Sequence, residues 1–104
     1  MDIDMAPDQA EAEPLFHKGD LVFSTETIVN DGFVPEIPEG AVLATPGTRG
    51  MVVTYGHAEE APEYEIYLIR FELPDGRLGP PVGCLPGELT QDAGLARQLA
   101  ANGA

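Results

Sequence analysis

The sequence predicts an all-β fold, a small SH3-like barrel of about five short antiparallel strands with a short C-terminal helix. Three observations predict it. Twelve Gly and ten Pro make up over a fifth of the 104 residues, and each interrupts regular structure, which argues against a bundle of long helices. The apolar runs are short, rich in branched and aromatic residues, and bounded by turn residues. The length suits one core; two domains would each be too small to support one.

The elements follow in order. Residues 1–14 hold Asp2, Asp4, Asp8, Glu11 and Glu13 and no base, with too few apolar groups to offset the entropy of ordering them, so a disordered acidic tail is expected. The folded domain is expected over residues 15–91, beginning at Leu15-Phe16. A turn at Lys18-Gly19-Asp20 leads into a strand at Leu21–Thr25. Asn30-Asp31-Gly32 is a turn signal, because Asn and Asp tolerate left-handed backbone angles and Gly adopts them freely. Pro35, Pro38 and Gly40 mark an irregular loop before a second strand at Ala41–Ala44, closed by Pro46-Gly47. Gly50–Tyr55 reads as a third strand and His57–Pro62 as a polar loop.

Tyr64–Phe71 carries the strongest strand pattern. Tyr64, Ile66 and Leu68 face one way, and Tyr67, Ile69 and Phe71 the other. Two apolar faces predict a central strand covered on both sides. Pro74-Asp75-Gly76 is a hairpin turn. Pro80 and Pro81 confine the next run, Leu78–Leu85, to a sheet edge or break it. A short helical turn is expected at Pro86–Thr90, and residues 92–104 as a short helix or frayed tail. An open antiparallel sheet capped by that helix is the alternative architecture.

Charge excludes several functions. Eighteen acids against five Lys plus Arg give a net charge of −13, and the part after the tail, with 13 acids and five bases, still stands at −8. Nucleic acid and anionic membranes need clustered bases, so neither is expected as a partner. No apolar run approaches the roughly 20 residues of a membrane span, and the acidic N-terminus does not read as a secretory signal. With a single cysteine and no such signal, the expected compartment is the cytoplasm.

Catalytic chemistry is sparse. The spacing of His17, His57 and Cys84 matches no zinc signature, no phosphate-binding glycine loop is present, and no cofactor is expected. Carboxylate pairs such as Glu59-Glu60 and Glu63-Glu65 read as solvated. Cys84 reads either as a small buried core thiol or as a thiol that contacts a metal or cluster on a partner. The uncharged, semi-rigid stretch from Leu78 to Pro86 reads either as a docking surface, pre-ordered and so cheap to bind, or as an edge strand protected by its prolines.

The sequence resembles the NifZ family of nitrogen-fixation accessory proteins. The carrying residues are Phe16-x-x-Gly19-Asp20-x-Val22, Ile28-Val29-Asn30-Asp31-Gly32, Pro35, and Gly40–Leu43. They continue with Gly47-x-x-Gly50-x-Val52, Tyr67-x-x-Arg70-Phe71, and the run from Leu78 to Thr90 with its Val82-Gly83-Cys84 block. The resemblance implies a cytoplasmic, non-enzymatic factor that assists maturation of the nitrogenase molybdenum–iron protein, in particular its P-cluster, as a chaperone on the immature partner. It places the family's cysteine on Cys84 and its Asn-Asp-Gly turn on Asn30, Asp31 and Gly32. The acidic N-terminus and short C-terminus depart from the family pattern.

The expected partner-binding residues are therefore Asn30, Asp31, Gly32, Leu78, Pro80, Pro81, Val82, Gly83, Cys84 and Leu85, with an immature nitrogenase component or another assembly factor as the partner. Two other readings stand beside this one: a thiol- or metal-dependent carrier using Cys84, and a small structural subunit of a larger enzyme.

Overall fold

The computed structural model describes residues 14–32, 34–57 and 63–103. The acidic segment before Pro14 and the Glu59-Glu60 pair lie outside these. Gly19, with φ of +87°, turns the chain into strand β1 (Leu21–Ser24), and the Asp20 carboxylate accepts a hydrogen bond from the His17 amide. The two-residue strand β2 (Ile28–Val29) pairs antiparallel with β3 (Val42–Ala44), so the loop from Asn30 to Ala41 is carried on a small hairpin of its own. Strand β4 (Arg49–His57) is longer than expected and takes in His57 at its end. Strands β5 (Glu65–Glu72) and β6 (Leu78–Cys84) form a hairpin through Gly76 (φ +89°). A 3-10 turn (Pro86–Glu88), a two-residue β7 (Leu89–Thr90) and helix α1 (Ala93–Gly103) complete the order.

The main sheet has the strand order β6-β5-β4-β1-β7, antiparallel throughout. The last strand thus returns beside the first, and the other strands run as a meander from it. With the 3-10 turn before β7, this is the layout of an SH3-like small β fold. Among the described residues seven strands replace the expected five, because β2 and β7 are too short to leave a sequence pattern. The sheet does not close into a full barrel: β6 and β7 are its two ends and do not pair with each other.

One apolar cluster fills the inside of the sheet. Val22, Val52, Tyr67, Ile69, Phe71, Val82 and Cys84 are its centre, and Phe16, Ile28, Val34 and Leu89 pack around them. Gly50 lets β4 lie close over β5, since a Cβ there would meet Ile69 Cγ2 at 2.7 Å and Phe71 Cδ1 at 2.9 Å. The chain enters the fold at Leu15, whose amide donates to the Tyr67 hydroxyl at 2.9 Å, while that hydroxyl donates to Glu65 Oε1 at 2.7 Å. The Phe16 ring meets Tyr67 edge-on at 5.2 Å. Glu65 is therefore a hydrogen-bonding partner of the core tyrosine, not the freely solvated carboxylate expected.

Helix α1 begins at a cap that its sequence supplies. Asp92 Oδ1 accepts from the Leu95 amide at 3.0 Å, an N-cap bond that also sets a negative charge on the positive end of the helix dipole. The helix seats its buried Ala96 near Gly47, where a Cβ would fall 2.5 Å from the Ala96 carbonyl oxygen and 2.8 Å from Ala100 Cβ.

The expectation that β5 is covered on both faces needs correction. Its position between β4 and β6 is central, and Tyr67, Ile69 and Phe71 are buried. Ile66 and Leu68, on the other face, are only half-buried, and Tyr64 is exposed. No second layer of the described chain seals that face, because the helix that might have done so packs instead against the loop at Gly47.

Candidate functional site

Asn30 is where the loop between β2 and β3 is built. It is 1% exposed, and its side chain works wholly inward. Nδ2 donates to the carbonyl oxygens of Val34 (3.0 Å) and Ile37 (2.7 Å), and Oδ1 accepts from the amides of Gly32 (3.0 Å) and Val34 (3.1 Å). The Asn30 main chain pairs with Ala41 and Gly40 across the loop base at 2.8 and 2.6 Å. Gly32, at φ of +105°, makes the reversal the sequence signals. The effect is a rigid loop that turns Asp31 outward.

Strand β6 holds the second block. Its register against β5 pairs Arg70 with Pro81 and Glu72 with Leu78, so Gly79 and Pro80 together face Phe71 in a bulge. A bulge on an edge strand is one of the few sheet positions that tolerates proline, which has no N–H to give. Arg70 completes the arrangement: Nε donates to the Gly79 carbonyl at 2.6 Å and Nη2 to that of Leu78 at 3.1 Å. Beyond the bulge, Val82 and Cys84 turn into the core, while Pro81, Gly83 and Leu85 remain exposed.

The two blocks, 50 positions apart in sequence, line one groove of about 780 Å³. Of the expected site residues it brings together Asn30, Asp31, Pro81, Val82, Gly83, Cys84 and Leu85. Gly32, Leu78 and Pro80 are not among its walls. Sequence reasoning missed Ile28, Val34 and Leu43 on one wall, Glu88 at the 3-10 turn, and Ile66 and Leu68 on β5. The signal for the last two was present, since they form the second apolar face of β5. Gly83 keeps the groove open: a Cβ there would meet only Ile66 Cγ2, at 3.3 Å.

Among the described residues, Asp31 and Glu88 are the only charged ones lining the groove. Glu88 Oε1 accepts from the Leu85 amide at 2.8 Å and so fixes the turn that ends β6. The five bases serve elsewhere. Arg49 pairs with Glu72, Arg77 with Asp75, Arg70 is spent on β6 carbonyls, and Lys18 and Arg97 sit in the turn before β1 and on α1.

Cys84 is 1% exposed, and its thiol lies 3.8 Å from the Val82 carbonyl. Burial, aided by the charge of Glu88, pushes its pKa up to about 12, so the sulfur is a thiol and not a thiolate at neutral pH. His17 lies at the surface with Nδ1 3.8 Å from Asp20. Among the described residues, no three His, Cys, Asp or Glu side chains converge as a metal site would require, and no helix is long and apolar enough to cross a membrane.

Comparison with curated proteins and with solved structures finds no match. The NifZ domain matches over residues 13–91, a span that runs from just ahead of Leu15 through β7 and contains both walls of the groove. The match covers well over half of the 104 residues, and the chain belongs to the NifZ family, the accessory proteins of nitrogen fixation.

Proposed function

We propose that this protein is a non-catalytic binding module that docks, in the cytoplasm, on the immature nitrogenase molybdenum–iron protein and assists formation of its P-cluster. Family membership supports the pathway. The observation that carries the docking role is the groove itself: the Asn-Asp-Gly and Pro-Val-Gly-Cys blocks, remote in sequence, meet on one apolar surface. The chain's few chemically reactive groups support the same reading. Its only thiol is buried and protonated, which disfavours a thiol carrier.

Deleting the gene in cells grown on dinitrogen tests the proposal. The expected result is reduced nitrogenase activity, with molybdenum–iron protein that is deficient in P-cluster by electron paramagnetic resonance. Full activity and full cluster content in the deletion strain would overturn it.

A further inference from the structure

The groove has walls of a defined chemistry, and that chemistry selects its occupant. Its floor and sides are apolar: Ile28, Val34, Leu43, Ile66, Leu68 and Val82. Ile66 and Leu68 form the half of β5 that no layer of the described chain covers. Among the described residues the charges on the groove are Asp31 and Glu88, both negative, and none of the five bases lines it. The domain around it is strongly negative as well. A polyanion or an acidic segment is therefore repelled. The chain's own first thirteen residues, with five acids and no base, have the wrong sign to fill the groove, and so does a second copy presenting the same Asp31 and Glu88.

We propose that the groove binds a cationic, apolar segment of a partner polypeptide, with aliphatic side chains seated over Ile66, Leu68 and Gly83 and with Lys or Arg beside Asp31 and Glu88. This rests on the docking role above and adds the surface and the chemistry of what it recognises. Apolar contact supplies most of the affinity; the two carboxylates supply orientation and a salt-sensitive association rate. Gly83 is the position that decides access, because any larger side chain projects into the space the segment would occupy.

The test uses the full chain, ¹⁵N-labelled, titrated with a soluble octapeptide of alternating leucine and lysine, and with its counterpart carrying glutamate in place of lysine. Amide shifts are expected at Ile66, Leu68, Gly83 and Leu85 with the lysine peptide only, and affinity should fall as salt rises toward about 0.5 M, where the Debye length shrinks to a few ångström. Gly83→Leu, which leaves the net charge unchanged, should weaken binding about tenfold or more, equal to the loss of roughly 1.4 kcal/mol. Asp31→Lys should weaken it several-fold. Asp75→Lys, the same charge change at the β5–β6 hairpin turn, should have little effect.

Equal binding of both peptides, shifts that fall away from the groove, equal loss in the two charge reversals, or no binding at all would each overturn the proposal. So would concentration-dependent dimerisation through these residues, which would identify a second copy as the occupant. Complementation of the deletion strain separates this inference from the function it rests on. A phenotype in the deletion strain that Gly83→Leu rescues fully would sink the groove and leave the accessory role standing. Absence of a phenotype in the deletion strain would sink the role while peptide binding could still succeed.

Discussion

Asn30 shows how one side chain can determine a surface it does not itself present. Its amide bonds five main-chain groups of the loop, two of which, at Val34, are buried. Replacement by Ala would strand those groups, and leaving a buried polar group unpaired costs about 1–3 kcal/mol each. Asn30→Ala is expected to lower stability by about 2–4 kcal/mol in urea denaturation and to loosen the Asp31 wall of the groove. The turn was legible in the sequence, because Asn followed two positions later by Gly has few other uses. The inward bracing was not, since nothing local to residues 30–32 says that Val34, Ile37 and Ala41 curl back to it.

Cys84 gives a second prediction at this scale. Its pKa is raised from the usual 9 to about 12 by burial first and by Glu88 second. The unfolded chain therefore loses this proton at lower pH than the folded one. Its stabilising contribution is complete below pH 9 and declines as pH rises toward 12, with a slope approaching about 1.4 kcal/mol per pH unit. Cys84→Ala should flatten that alkaline decline, leaving the part due to Tyr67, whose pKa is also raised by burial and by its bond to Glu65. Denaturation midpoints measured from pH 8 to pH 11 check it. A variant whose stability falls as steeply as the parent's would show that the thiol is not the responsible group.

At the scale of elements, the informative joint is between the Pro46-Gly47 turn and α1. Gly47 has φ of +88° and lies against the helix backbone. Gly47→Ala adds both left-handed strain and a contact at 2.5 Å with the Ala96 carbonyl. A loss of about 2–4 kcal/mol is expected, with α1 amides exchanging faster than those of β4 and β5. Uniform exchange across the molecule would show that the helix is not separately displaced. The long elements were readable in advance: β5 from its branched and aromatic run, β6 from the prolines that set it at an edge, α1 from its alanines and leucines. The two-residue strands β2 and β7 were not. A two-residue strand has no period to detect, and each exists only because a partner strand, β3 or β1, offers main-chain groups at the right distance.

For the whole molecule, the half-open sheet and the charge act together. The sheet ends at β6, whose adjacent Pro80 and Pro81 have no N–H to offer a further strand, and β7 is too short to extend the other end. The side left open is the one bearing the groove. An apolar face on β5 and an uncharged β6 were legible in the sequence, but not that the two would meet the Asn30 loop across a gap. That meeting depends on how far the β2–β3 hairpin leans, which is a matter of packing between residues over 20 positions apart.

The position of the single sulfhydryl has a practical corollary for a protein of nitrogen fixation, whose metal chemistry must be shielded from air. With its side chain buried in the same cluster as Val82 and Tyr67, the thiol is shielded from a second copy with which it could form a cystine, and its raised pKa leaves little thiolate to attack peroxide. The folded chain should keep through oxygen exposure the thiol it was made with, so that a lapse in anaerobiosis leaves this protein itself intact.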